Sequence, residues 1–381
     1  MQTLNVNHEL IRWALERSGR SVEGLARQFP KLRKWEKGEA QPTLKQLEAL
    51  AKKTWTPLGY FFLPEPPQEK LSIPDFRTVS DRAVGSASPN LIDTLHTMQR
   101  RQTWMRDYLV DCGHDPLPFV ASTNLHASPA AVAQEIRQVI GTGDGWASHH
   151  GTWSDALRHL REAIEEAGIL VAINGVVGND THRKLDTEEF RGFVLLDNYA
   201  PLIFVNGSDA KSAQMFTLAH ELAHLWVGES ALFNLPNMEP SEFAVEQFCN
   251  KVAAEFLVPA QEFEAYWPQA MQEAEPFQTI ARHFKVSPIV TARRAQDLGL
   301  IQRAEFLTFF RSYQEDERRK AARVTGGGDF YQNQNVRLGK RFARAVALAA
   351  KEGRLLYRDA YRLTDLHGAT FDKYAKALGA S

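Results

Sequence analysis

Apolar positions recur at helical spacing along most of the chain, and three short runs interrupt that rhythm as strands. His8–Arg17 places Leu10, Ile11, Ala14 and Leu15 on one helical face. Ser21 opens a short helix through Gln28, and Lys31–Lys37 forms a third piece stopped by Gly38. After Pro42, Leu44, Leu47, Leu50 and Ala51 mark another helix. Leu63–Arg77 is rich in proline, which favours extended backbone, and reads as a linker. Helical spacing resumes over 89–112, with Leu91, Leu95, Met98, Trp104, Met105, Tyr108 and Leu109. It continues over Ser128–Ile140 and over Trp153–Ala167, which Gly168 terminates.

The strand-like runs are Ile169–Ile173, Phe190–Leu196 and Leu202–Val205, with Pro201 at a strand's first position. Asn206-Gly207-Ser208 is a turn, and Asp209 is placed to cap the helix that follows. Further helices are expected over Ser241–Leu257, Glu262–Tyr266, Phe277–Phe284, Ser287–Leu298 and Arg303–Arg323. Gly326-Gly327-Gly328 reads as a hinge, leading to helical patterns at Val336–Ala350, Tyr357–Leu363 and Asp372–Leu378. The fold class is α+β and mostly helical. We divide it into a helical bundle (1–65), a linker (66–88), a helical connecting region (89–168), a core with a small sheet (169–300) and a basic helical region (301–381).

Composition narrows the class. With 44% hydrophobic and 24% charged residues, the 381-residue chain is globular in character. The opening Met1-Gln-Thr-Leu-Asn-Val-Asn has neither the basic nor the apolar part of a signal peptide, and no run has the length to span a bilayer. Two cysteines, Cys112 and Cys249, suit a reducing cytoplasm and supply no zinc–thiolate cluster. The net charge of −1 conceals an asymmetry. Residues 1–65 carry 11 Lys and Arg against 7 Asp and Glu, and residues 311–381 carry 15 against 8. The middle is correspondingly acidic, so the ends meet different partners from the middle, or meet the middle itself. Arg337, Lys340, Arg341, Arg344, Arg354, Arg358 and Arg362 make the tail a candidate for nucleic acid, an acidic partner or the chain's own acidic region.

The chemistry concentrates in Met215–Trp226. His220 and His224 are four apart with Glu221 between them, the H-E-x-x-H arrangement. Residues four apart share a helical face, so both imidazoles can reach one metal ion while Glu221 stands beside its open side and takes a proton from the bound water. Apolar Met215, Leu218, Leu222, Leu225 and Trp226 make the helix amphipathic. A catalytic zinc needs a third ligand from a separate element. Glu246, 22 residues after His224, is the leading candidate, with Glu242 and Glu255 as rivals and Asn250 as a residue that orients a ligand. A strand edge beside such a site can hold a peptide by β-addition, a fold-level analogy. His283, Arg293, Arg294 and Tyr266 are candidate oxyanion donors, His149-His150 reads as surface loop, and Cys249 as a buried inert thiol.

Phe216–Leu225 followed by Glu246-Gln-Phe-Cys-Asn250-Lys-Val-Ala-Ala-Glu-Phe-Leu-Val-Pro259 resembles the ImmA/IrrE metallopeptidase family. The resemblance implies a zincin-like domain with one catalytic Zn2+ held by His220, His224 and Glu246, and Glu221 as general base. It implies a cytoplasmic endopeptidase that cuts a repressor-like protein substrate. The elements Leu25-Ala26, Trp35–Gly38, Pro42 and Leu47–Ala51 resemble the Xre/Cro-type helix-turn-helix domain that many members carry. Residues 1–65 would then reach DNA through Lys31, Arg33 and Lys34, although the recognition segment is shorter than in that family and holds Pro30. Xre-fused members also resemble antitoxins of ribonuclease toxins, so the competing reading is a regulator that binds DNA and a toxin partner with catalysis dispensable. Neither reading involves a membrane, and neither excludes an oligomer.

Overall fold

The computed structural model describes residues 3–69, 71, 87–229, 231–233, 243–315 and 330–379. Most of the proline-rich linker and the Gly326–Gly328 hinge lie outside those residues. The chain forms two compact units, one comprising residues up to 72 with 79–96, the other 73–78 with 97–381. No helix among the described residues is long and apolar enough to cross a membrane.

The first unit holds α1 (His8–Arg17), α2 (Val22–Leu25), α3 (Leu32–Glu36) and α4 (Leu44–Lys53) around Leu10, Ile11, Ala14, Leu32, Trp35, Leu47 and Leu50. Local chemistry sets their starts. Asn7 accepts the Glu9 N–H at 3.0 Å, Ser21 accepts that of Gly24, and Thr43 with Gln46 forms a reciprocal capping box. The middle helices are short: α2 has four residues, and α3 has five with Leu32 and Trp35 turned inward.

α5 (Pro89–Asp111) contains the division between the units. In the second unit, α6 (Pro129–Val139) and α7 (Trp153–Glu166) precede β1 (Leu170–Asn174). β2 (Val176–Val177) and β3 (Asp180–Lys184) form a separate hairpin. β4 (Gly192–Leu195), β5 (Leu202–Asn206) and β6 (Ala231–Phe233) join β1 in one sheet of order β1-β5-β4-β6. β1 and β5 are parallel, and the other pairings are antiparallel. β1, β4 and β5 are buried throughout, which explains why they read as continuous apolar runs rather than alternating ones. The hairpin has no such signal, since β3 is Asp-Thr-His-Arg-Lys and faces solvent. β6 pairs with β4 and so forms the edge of the sheet on that side.

α8 (Lys211–Val227) packs on β4 and β5, and α9 (Ala244–Leu257) packs on α8. α10 (Ala260–Ala270), α11 (Pro276–Phe284), α12 (Pro288–Asp297) and α13 (Arg303–Glu315) continue the chain. Two sequence expectations need correction. Asp209 does not cap α8: the capping position is Ala210, and Asp209 instead pairs with Arg191 at 2.9 Å. The helix expected over 336–350 is two, α14 (Phe330–Leu338) and α15 (Lys340–Lys351), broken at Gly339. Gly339 has φ +79°, and a Cβ there would lie 2.6 Å from Glu165 Oε1 and 2.7 Å from the Val171 carbonyl oxygen. Only glycine fits that close approach.

α16 (Tyr357–Thr364) and α17 (Gly368–Ala377) complete the tail. α14 lies along β1, the sheet edge opposite β6, and α15 packs on α7. The basic tail therefore meets the acidic middle of its own chain: Lys340 pairs with Glu162 at 2.6 Å, and Arg337 donates to Asn179 Oδ1 at 2.8 Å.

Candidate metal centre

α8 is not a one-sided amphipathic helix. Apart from half-buried Phe216, it is buried from Gln214 through Trp226, because the sheet covers one side and α6, α7 and α9 cover others. Trp226 stacks on Phe119 with ring centroids 4.6 Å apart and donates its indole N–H to Glu135 at 3.0 Å. Gly228 closes the helix in the left-handed conformation. This packing fixes the rotation of the helix, and His220, Glu221 and His224 are all fully buried within it.

Glu246 lies in the first turn of α9, where the helix faces α8. His220 Nε2 and His224 Nε2 are 3.0 Å apart, His220 Nε2 is 3.2 Å from Glu246 Oε2, and His224 Nε2 is 3.1 Å from Glu246 Oε1. Zinc bonds of about 2.0–2.1 Å in a tetrahedron place ligand atoms about 3.3 Å apart. The three donors converge at nearly that spacing, so the set fits a metal ion. Asn250, one turn after Glu246, holds His220 through Nδ1 and Oδ1 at 3.0 Å. An amide oxygen there selects the tautomer with hydrogen on Nδ1 and leaves the Nε2 lone pair for a ligand bond.

The two carboxylates have opposite characters. Burial opposes charge on Glu246, but the adjoining His220 and His224 hold its carboxyl at about 2. Glu221 has neither oxygen hydrogen-bonded, and burial followed by the charge of Glu246 raises its pKa well above the ordinary value. Burial also lowers the pKa of His220 and raises that of the buried Cys249 thiol. One buried acid stays ionised among the imidazoles while the other retains high proton affinity beside them.

Other sequence candidates fall elsewhere. Glu255 pairs with Arg294 and accepts the Ala260 N–H at 3.3 Å, while Glu242 lies outside the described residues. Arg294 also donates to the Val258 carbonyl, Arg293 pairs with Asp297, and His283 stacks on Tyr266 at 4.2 Å. His150 packs against His159 and Trp146, while His149 is exposed. Lys31, Arg33 and Lys34 lie exposed on or beside α3 in the first unit, with Arg33 paired to Glu23.

Sequence reading missed Gly192. At the start of β4 its backbone crosses directly over α8, and a Cβ there would lie 2.4 Å from Thr217 Cγ2, 2.9 Å from the Phe204 carbonyl oxygen and 3.1 Å from Glu221 Oε1. Its presence before an apolar run gave no hint of this contact. Gly192→Ala is expected to lower stability by about 1–3 kcal/mol through overpacking, measured as a lower urea midpoint. A wild-type midpoint would show that β4 or α8 yields freely at this point.

The arrangement defines a class: a buried His-His-Glu cluster that could hold a metal ion, carried by two helices behind a mixed sheet. Within the second unit, residues 164–296 match the Peptidase_M78 family, described as an IrrE N-terminal-like domain. The match covers about a third of the chain, spans the sheet, α8, α9 and the helices to α12, and supports both the likeness to ImmA/IrrE proteins and a metallopeptidase-type function. Residues 338–377 match a second family, described as a domain of unknown function (DUF8813). No curated protein and no solved structure matches the chain.

Proposed function

We propose that the chain is a zinc-dependent endopeptidase in which His220, His224 and Glu246 hold one Zn2+ and Glu221 is the general base. The observation that carries this reading is Glu221 itself, a fully buried carboxylate without a hydrogen bond beside three converging donors. Burying such a group costs stability, and retention of high proton affinity next to a metal-fitting cluster is what a proton-transferring group requires.

Bound zinc would supply the charge that polarises a peptide carbonyl and acidifies a water. Glu221 accepts the water's proton at a carboxylate oxygen and then donates it to the departing amine. Asn250 keeps the His220 ring oriented, and the packing of α8 excludes bulk water from the rear of the site. The proposed substrate is a regulatory protein such as a repressor, cleaved in the cytoplasm. Support for that class comes from the IrrE-like match.

The test is metal reconstitution. Purified protein should hold one zinc per chain, cleave a quenched fluorogenic peptide library, lose cleavage on chelation and regain it with zinc. At a hundred times the dissociation constant, zinc should stabilise the fold by about 2.7 kcal/mol, seen as a raised melting temperature. Retention of cleavage by His224→Ala would remove the proposed centre from the reaction.

A further inference from the structure

The tail has a second surface that the metal centre does not use. α16 and α17 are joined by only Asp365, Leu366 and His367, with Asp365 in the left-handed region at φ 54°. Two helices linked by a three-residue turn have the connection length of a helix-turn-helix unit, in which a further helix gives support. α15 provides that support, packing on both. Fully buried Ala360 and buried Leu366, Phe371 and Tyr374 form the interior, and Tyr361 lies 5.4 Å from Phe371. The family match over 338–377 begins and ends almost with these three helices, so they recur as one unit.

The unit carries both signs of charge and is net basic. On the inner side, Asp365 pairs with buried Arg101 at 3.0 Å, and Arg101 Nε donates to the Leu363 carbonyl at 2.8 Å. On the outer side the side chains of Arg358 and Arg362 on α16 are 76% and 82% exposed and lie 3.6 and 4.0 Å from Asp359, and on α17 exposed Lys373 adjoins exposed Asp372. Residues 338–377 hold 9 Lys and Arg against 4 Asp and Glu. The exposed start of α17, His367-Gly-Ala-Thr370, carries mostly short side chains that permit close approach to a flat surface.

We propose that residues 338–377 bind duplex DNA, with α17 in the major groove and Arg358 and Arg362 on the phosphates. A ten-residue helix is about 15 Å long, enough to cross a groove about 12 Å wide. In such units the helix before the turn crosses the sugar–phosphate backbone, and that helix is where Arg358 and Arg362 lie. The five-residue α3, with two of its residues buried, offers no comparable reading surface. The proposal is independent of the peptidase reading.

Fluorescence anisotropy of the full chain with a labelled mixed-sequence duplex of about 20 base pairs tests it, at about 50–200 mM KCl. Wild type should bind with a dissociation constant of roughly 10⁻⁶–10⁻⁴ M, weakening as salt rises. Arg358→Ala/Arg362→Ala should weaken binding about tenfold or more and reduce the slope of log affinity against log salt by about 2, while Arg33→Ala/Lys34→Ala leaves both unchanged. No binding at about 100 µM protein, the weak limit of the range expected for non-specific contacts, overturns the proposal. So does a loss that follows Arg33 and Lys34 instead. A poly-glutamate peptide that binds as tightly and displaces the duplex would assign the face to an acidic protein and overturn it as well.

Discussion

Glu221→Gln should cut peptide hydrolysis by about 10²–10⁴-fold, while the protein keeps its zinc and its fold. The amide matches the carboxylate in shape but cannot accept a proton, so the change removes proton transfer and little else. That factor corresponds to about 3–5 kcal/mol of barrier. The structure also fixes the sign of the stability change. Glu221 is fully buried with neither oxygen hydrogen-bonded, so no favourable contact is lost on substitution. The cost of burying an ionisable group is relieved, and the melting temperature should hold or rise. Three readings on one preparation check this: turnover of a fluorogenic peptide, zinc per chain, and thermal midpoint. A drop of many degrees with intact zinc would make Glu221 a structural residue. Turnover within tenfold of wild type would require a different base.

The helix carrying His220, Glu221 and His224 was legible because its pattern is local: two histidines four apart need only helical periodicity to share a face. Glu246 was harder, since its approach to His220 depends on how α9 packs on α8, and spacing alone left Glu242 and Glu255 open. What separates Glu255 is a contact visible only in three dimensions, its ion pair with Arg294. The strands β1, β4 and β5 were legible as apolar runs because they are buried throughout. β3 was missed because it is polar and solvent-facing, and β6 because it is three residues long. The break at Gly339 was missed for another reason. The apolar spacing of Val336–Ala350 is truly helical on both sides, and only the approach to Glu165 and Val171 forces the interruption. The role of Gly192 likewise belongs to packing between a strand and a helix far apart in sequence.

The attachment of the tail should weaken as pH rises from about 4.5 to about 7, with Glu165 as the cause. Glu165 lies at the end of α7, buried against the tail, and its Oε1 accepts the Arg341 N–H at 3.4 Å. Burial dominates its environment and raises its pKa from 4.5 to about 7, with Arg161, the Arg341 N–H and Lys340 acting in the opposite direction and Glu162 reinforcing burial. Tyr374 faces the same group from α17, its hydroxyl pKa pushed well up by burial and by Glu165. The folded value lies above the unfolded one, so the folded chain retains the proton longer. Below about 4.5 both states are protonated, and the contribution of Glu165 is fully present. Between 4.5 and about 7 the unfolded chain ionises first and that stability is lost. Above 7 the loss is complete at about 3 kcal/mol. Glu165→Gln cannot ionise and should show no such loss. Urea unfolding of both proteins at pH 4.5, 6 and 8 isolates the contribution of Glu165, because other titrating groups cancel in the difference. The variant should match wild type at the lowest pH and exceed it by about 3 kcal/mol at the highest. Amide exchange in α14–α17 should slow in the variant at pH 8, locating the gain at the docked tail. A pH-independent difference, or one of opposite slope, would mean that Glu165 remains charged in the folded protein and is satisfied by Arg161 and Lys340.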